Sequence, residues 1–140
     1  MTSEPWLSAA LPALVAAERA VTLEGESLVH ADVRSDNLCF SGERTLLVDW
    51  NWARRGNPAF DRIAWLPSLH MEGGPPPWSI TLADPEIIAA IAGFFASRAY
   101  LPPPPAHPNG PAIRGLQLNQ LKSALPWASR ALGLPDPQRK

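Results

Sequence analysis

The placement of proline is the feature that most restricts how this chain can fold. The chain has 17 prolines among its 140 residues, whereas average usage would give about seven. They concentrate in two tracts, GGPPPW at residues 73–78 and LPPPPAHPNGP at residues 101–111. Because proline lacks an amide donor and fixes φ, the tracts predict extended, polyproline-like connectors between packed elements. The alternative is that they are ligands for small adaptor domains.

The hydrophobic pattern outside these tracts predicts mainly helices. Apolar residues recur at helical spacing over residues 7–21, 61–69, 84–101 and 113–134. Asp61 is expected to cap the helix at residues 61–69. Asp84 is a good N-cap for the run at residues 84–101, and Pro85 suits its first helical position. Pro12 and Pro126 are expected to kink or divide their helices.

Short β-prone runs at residues 28–30, 38–40 and 45–50 predict strands and a hairpin, with residues 32–37 as the loop between the first two. Trp50 and Trp52 alternate along the third run, so one of them is expected in the core. The predicted fold class is therefore α+β and mainly α-helical.

Composition and charge limit the possible classes of protein. The content of 46% hydrophobic and 18% charged residues is typical of a soluble globular protein, and the length predicts a single domain over residues 1–140. A net charge of -1 provides no positive field for nucleic acid. No stretch has the apolar length of a membrane span or the pattern of a signal peptide. We therefore expect a cytoplasmic protein, in which the lone Cys39 is a small buried hydrophobe.

Four polar residues between positions 30 and 49 suggest a chemistry. His30, Asp32 and Asn37 follow the spacing H-x-D-x-x-x-x-N, and Asp49 ends the apolar run LLVD. This arrangement is typical of the catalytic loop and metal-binding aspartate of protein kinases. Phosphoryl transfer needs a group that positions the acceptor hydroxyl and hard oxygen ligands for Mg²⁺. Asp32 suits the first role, and Asn37 and Asp49 suit the second.

Other interpretations of these residues stay open at the level of sequence. Asp32 and Asn37 are also typical of a loop in which they cap and turn the backbone. His30 ends an apolar run, which favours a hydrogen-bonded structural histidine over a proton shuttle. An H-x-D pair with a distant aspartate also suits a metal-dependent hydrolase.

The residues around the motif carry a family resemblance. The segments LVHADVRSDNLCF (28–40) and VDWNWARRGNPAFDRIAW (48–65) resemble the aminoglycoside phosphotransferase family, in which the second aspartate is followed by Trp and no D-F-G triplet occurs. The resemblance is close over residues 28–66. It is looser over the later helices, which resemble those of actinobacterial-type members.

The resemblance implies a role for each matching residue. Asp32 would be the catalytic base or hydroxyl positioner, and Asn37 and Asp49 would be metal ligands. His30 would brace the loop from behind, and Asp61 would hold it through hydrogen bonds. The cofactors would be Mg²⁺ and ATP or GTP, and the partner would be a small hydroxylated substrate.

Two positions depart from the family pattern. Members often have Gly where this chain has Asp36, which adds a carboxylate beside the expected metal. They often have Asp where this chain has Asn57. Residues 28–61 would be the catalytic and metal-binding segment, and residues 84–140 the helical acceptor side.

The resemblance implies the C-terminal lobe of a protein-kinase-like fold, without the N-terminal nucleotide lobe that longer members have. The predicted function is a small-molecule phosphotransferase. The alternative is a catalytically inactive lobe that acts as a binding or self-association module, through the face left by the missing lobe.

Overall fold

A computed structural model of the protein describes residues 4–81, 84–105 and 108–137. The helices within these ranges are α1 (Glu4–Ala20), α2 (Ala59–Ala64), α3 (Leu66–Met71), α4 (Pro77–Ile80), α5 (Pro85–Ala99) and α6 (Gly110–Ala131). The strands are β1 (Ser27–Val29), β2 (Leu38–Ser41), β3 (Arg44–Leu47) and β4 (Arg54–Gly56). The fold is α+β and mainly helical, as the hydrophobic pattern predicts.

The core lies among the helices. Among the described residues, twelve buried side chains form one cluster, which includes Ile88 on α5 and Trp127 on α6. Helix α5 begins as predicted, because the Asp84 carboxylate accepts a hydrogen bond from the Glu86 N–H at 3.1 Å and Pro85 follows at the first position. Burial of each large apolar side chain is worth about 1.5–3 kcal/mol, so this cluster dominates the stability of the fold.

The strands of the described part of the chain form two separate antiparallel pairs. β2 and β3 make the predicted hairpin, in which Leu38 lies opposite Leu47. β1 pairs instead with β4, which the β-prone runs did not predict, and Val29 lies opposite Arg54 there. Residues such as Arg54 have little preference for strands, so tertiary context decides this pairing.

The third predicted strand is shorter than expected. β3 ends at Leu47, and Trp50–Trp52 form a turn of 3₁₀ helix. Asp49 has φ 60°, in the left-handed region that ends a ladder. The expectation that one of the two tryptophans enters the core is wrong, since Trp50 and Trp52 are both exposed.

Prolines interrupt the helices less than predicted. Pro12 lies inside α1 and Pro126 inside α6, and neither divides its helix. The carbonyls four residues earlier, of Ser8 and Lys122, belong to exposed residues and can bond to water.

The two proline tracts are only partly connectors. Pro77 begins α4, and Pro111 lies in the first turn of α6, because the first turn of a helix tolerates proline. Residues 106 and 107 of the second tract lie outside the described residues.

Apolar side chains of the β2–β3 hairpin are exposed to solvent. Phe40 is 76% exposed, and Cys39 is exposed too, so the prediction of a buried thiol is wrong. A two-stranded hairpin buries a side chain only if another layer covers it. In the part of the chain described here, no helix is both long and apolar enough to span a membrane.

Candidate functional site

Asp61 fixes the backbone of the loop that carries Asp32. From α2, its Oδ2 accepts the His30 N–H at 2.6 Å and its Oδ1 accepts the Ala31 N–H at 2.8 Å. Ala31 has φ 65°, a left-handed conformation that costs a residue with a side chain roughly 1–2 kcal/mol. Two hydrogen bonds to one carboxylate are strong enough to hold this strained turn. The turn sets the direction of the chain at the next residue, Asp32.

His30 is buried and its ring is held on both sides. The Asp32 N–H points to Nδ1 at 3.3 Å, so Nδ1 is the acceptor. Nε2 therefore carries the hydrogen and donates it to the Val48 carbonyl oxygen at 2.8 Å. The Trp50 ring lies edge-on to the imidazole, with ring centroids 4.7 Å apart. The imidazole thereby links the loop of Asp32 to the segment that precedes Asp49.

Asn37 contacts Asp32 directly. The Asn37 side-chain nitrogen donates to the Asp32 carbonyl oxygen at 2.8 Å and lies 3.3 Å from Asp32 Oδ2. Both amide hydrogens of the side chain are thus directed at Asp32. Oδ1 is then the Asn37 atom that suits a cation.

Asp49 is brought to the same end of the hairpin by the ladder. The Val48 N–H donates to the Asn37 carbonyl oxygen at 2.9 Å, which continues the register of Leu38 with Leu47 by one pair. Asp49 follows Val48 and is exposed. Its Oδ1 accepts a hydrogen bond from the Asn51 side chain at 2.5 Å. Asp49 therefore directly follows Val48, the residue whose backbone N–H bonds to the Asn37 carbonyl oxygen.

Asp36, the first departure from the family pattern, is paired within its own loop. Arg34 donates to both Asp36 carboxylate oxygens, through Nε at 3.0 Å and through Nη2. This hydrogen bonding lowers the pKa of Asp36 and raises the pKa of Arg34. The added negative charge is thus balanced inside the loop.

Asn57, the second departure, caps a helix. Its Oδ1 accepts the Ala59 N–H at 3.0 Å at the start of α2, and its side-chain nitrogen donates to the Thr22 carbonyl oxygen at 3.1 Å. The sequence predicts that Asp61 caps α2, and this prediction is wrong. The Asp61 carboxylate instead accepts hydrogen bonds from the loop. Asn serves as well as Asp in a cap of this kind.

Asn37 and Asp49 carry donor atoms of the kind that Mg²⁺ prefers. Within residues 4–81, 84–105 and 108–137, no group of three or more His, Cys, Asp or Glu side chains could hold a metal ion. Mg²⁺ usually takes one or two carboxylates, with waters and substrate phosphates as its other ligands. The amide oxygen of Asn37 and the carboxylate of Asp49 are hard oxygen donors of this type.

Two hydrogen bonds at the site were not predicted from the sequence. One joins Asn51 to Asp49, and the other joins the Val48 carbonyl to His30. Asn51 orients Asp49, and Val48 orients His30. The first has a sequence signal, since Asx side chains often bond two residues away. The second involves a backbone group and leaves no signal.

Comparison with protein families gives a match over most of the chain. The profile described as "Phosphotransferase enzyme family" matches residues 3–100, which is more than half of the chain. The protein therefore belongs to the phosphotransferase enzyme family. No curated protein and no solved structure matches the chain.

Proposed function

We propose that this chain is the substrate- and metal-binding part of a small-molecule kinase of the aminoglycoside phosphotransferase type. It corresponds to the C-terminal lobe of actinobacterial-type members and works in the cytoplasm. The reaction moves the terminal phosphate of ATP or GTP to a hydroxyl of a small substrate. The observation that carries the proposal is the contact of Asn37 with Asp32, next to Asp49, at one end of the β2–β3 hairpin.

In this proposal Asp32 acts on the acceptor. Its carboxylate accepts a hydrogen bond from the acceptor hydroxyl and points the oxygen at the phosphorus. As the new O–P bond forms and the bond to the nucleoside diphosphate breaks, the hydroxyl proton passes to Asp32. The hydrogen bonds of Asn37 and the turn at Ala31 hold the carboxylate in one position, which is the main contribution of a protein to this reaction.

Asn37 and Asp49 would hold Mg²⁺ in this kinase. Bound there, the ion would supply positive charge that offsets the negative charge of the nucleotide phosphates. The carbonyl of Asn37 is tied to β3 through Val48, and Asp49 is oriented by Asn51. Both ligands would therefore be positioned before the nucleotide binds.

An assay of nucleoside diphosphate release tests the proposal. The 140-residue chain is incubated with ATP, Mg²⁺ and a panel of hydroxylated acceptors. Asp32→Asn should lower turnover by ~10²–10⁴, because it removes the proton acceptor and keeps the shape of the side chain. The matched control is Glu43→Gln, which neutralises an exposed carboxylate in the β2–β3 turn and should leave turnover unchanged. Equal turnover of the Asp32 variant and the wild type would contradict the assignment.

Exposed apolar side chains near the site favour a second candidate function. Leu28, Phe40 and Trp52 are 68%, 76% and 66% exposed. A surface of this kind suits a binding or self-association module that transfers no phosphate. Sedimentation at decreasing concentration should then show a dimer that Phe40→Ser weakens. A monomer at every concentration would argue against this candidate.

A further inference from the structure

A cleft between α1 and α5 contains none of the catalytic residues described above. Its volume is about 360 Å³, within the range of small-molecule sites. Leu121 of α6, which belongs to the buried core cluster, lines the cleft. Ala92 of α5 lines it too and is only 3% exposed. The α1–α5 cleft therefore reaches from the surface of the protein down to its core.

The side chains that line the cleft favour a ligand with an apolar body. The described lining residues between positions 89 and 96 of α5 are alanine or glycine, so this part of α5 contributes no side chain larger than a methyl group. On α1, Leu7 and Leu11 line the cleft and are still 43% and 47% exposed. A ligand that covers these two leucines removes apolar surface from water, which favours binding.

One carboxylate lies at the edge of the α1–α5 cleft. Among the described residues that line the cleft, Glu18 is the one with a charged side chain. Its carboxylate lies against the backbone of α5 because Gly93 has no side chain, since a Cβ on Gly93 would be 2.7 Å from Glu18 Oε2. Glu18 is exposed, so a ligand can reach the carboxylate from solvent. The cleft therefore offers an apolar ligand a single accessible negative charge.

The Glu18 carboxylate can accept a cation from outside the protein. It makes no ion pair and no hydrogen bond with any residue that the structure describes. Arg98 of α5 lies instead over the Phe94 ring, with its Cζ 3.9 Å from the ring centroid. A carboxylate at the edge of an apolar site attracts a cation and repels an anion, which gives specificity for the charge of the ligand. The complementary ligand is therefore apolar and carries one positive charge.

We infer that the α1–α5 cleft binds a hydrophobic ammonium ion, whose apolar tail lies between the two helices and whose ammonium group contacts Glu18. A neutral ligand with the same tail lacks that contact, and an anionic one is repelled by the carboxylate. The inference is independent of the proposed function, because it uses no nucleotide, no metal and none of the residues of the candidate site.

Three probes with one tail and different head groups test the inference on the 140-residue chain. The compounds 4-phenylbutylammonium, 4-phenylbutanol and 5-phenylpentanoate each carry a phenyl ring on a four-carbon chain. In NMR titrations the ammonium should shift the amide signals of residues 89–96 and bind roughly two- to fivefold more tightly than the alcohol, as expected for an exposed ion pair. The carboxylate should bind most weakly, and methylammonium, the head group alone, should cause no shift. Equal affinities of the three probes, or tightest binding of the carboxylate, would overturn the inference.

Two variants tie that binding to the cleft. Glu18→Gln should make the ammonium and the alcohol bind equally well, and its control Glu43→Gln, at an exposed position of the β2–β3 turn, should preserve the preference. Ala96→Trp should fill the cleft and abolish binding of all three probes. Its control is Ala16→Trp, at an exposed alanine of α1 that does not line the cleft. A preference for the ammonium that survives Glu18→Gln, or binding that survives Ala96→Trp, would overturn the inference.

Sedimentation distinguishes the ammonium ion from a second copy of the chain as the occupant of the cleft. Wild type and Ala96→Trp should sediment alike, because the inference gives the cleft no part in self-association. A wild-type dimer that Ala96→Trp dissociates would show that a second copy fills the cleft, and would overturn the inference.

Discussion

The helical part of the molecule and the segment between β1 and β4 are stabilised in different ways. The helices bury one continuous cluster of side chains, in which Ile63 and Ala124 are fully buried. The segment from β1 to β4 exposes most of its large apolar residues and is held by polar bonds, above all those of Asp61. The comparison indicates a rigid scaffold that supports the candidate site through a few directed contacts. Such a site is easily disturbed without unfolding the protein.

Removal of a core tryptophan should give the largest loss of stability. Trp127 is 2% exposed, so Trp127→Ala should lower the free energy of unfolding by about 3–5 kcal/mol. Trp52 is 66% exposed, and Trp52→Ala should change it by no more than about 0.5 kcal/mol. Urea unfolding of both variants measures the contrast. Losses of equal size would show that the two regions are not stabilised differently.

A change at Asp61 should affect the loop more than the whole fold. Asp61→Asn keeps the shape of the side chain but leaves one acceptor oxygen for the two N–H groups of His30 and Ala31. We expect a loss of about 1–3 kcal/mol, faster hydrogen exchange at these two amides, and lower phosphate transfer. Hydrogen exchange followed by NMR measures the local effect.

The matched control for that variant is Asp84→Asn. Asp84 also accepts a backbone N–H, from Glu86, but at a helix N-cap. Asn caps a helix about as well as Asp, so the change should be near neutral. Unchanged exchange at His30 and Ala31 in the Asp61 variant would mean that this carboxylate does not hold the loop.

The smallest change in the free energy of unfolding is expected for a substitution of Asp36, and this change should depend on pH. Because Arg34 donates to its carboxylate, the pKa of Asp36 in the folded state is lowered. The pair therefore stabilises the fold above the unfolded pKa of about 3.9, and this contribution is lost as the pH falls through the lower folded pKa.

Asp36→Asn should cost less than about 1 kcal/mol at neutral pH, because more than half of this side chain is exposed to solvent that screens the pair. The difference in unfolding free energy between wild type and variant should shrink as the pH falls below the unfolded pKa and through the lower folded pKa of Asp36. A difference that grows on acidification would have the wrong sign for this ion pair.

The helices were largely predictable because their signals are local. The run at residues 84–101 and its cap predict α5 to within two residues. The burial of Cys39 and of one of the two tryptophans Trp50 and Trp52 was predicted wrongly, since burial here depends on whether another layer covers the hairpin. The pairing of β1 with β4 joins strands that are distant in sequence, and nothing in Arg54–Gly56 signals it.

The candidate site also has features that the sequence predicts and features that only the structure shows. The spacing of His30, Asp32 and Asn37 is visible in the sequence, and the structure adds the contacts that place these side chains. The two hydrogen bonds that Asp61 accepts from the backbone of this loop connect residues 31 and 30 positions apart, and no local pattern predicts them. Local patterns thus indicate the chemistry, and only the packed structure shows the contacts that position it.

Calorimetric titration with ATP, with and without Mg²⁺, tests the central claim most directly. The claim is that Asn37 and Asp49 hold the metal of a nucleotide site, so the wild-type chain should bind ATP only when Mg²⁺ is present. Asp49→Ala should abolish that dependence on metal, and Glu43→Gln should preserve it. Absence of ATP binding by the wild type, or binding that is the same without Mg²⁺ and in Asp49→Ala, would contradict the claim.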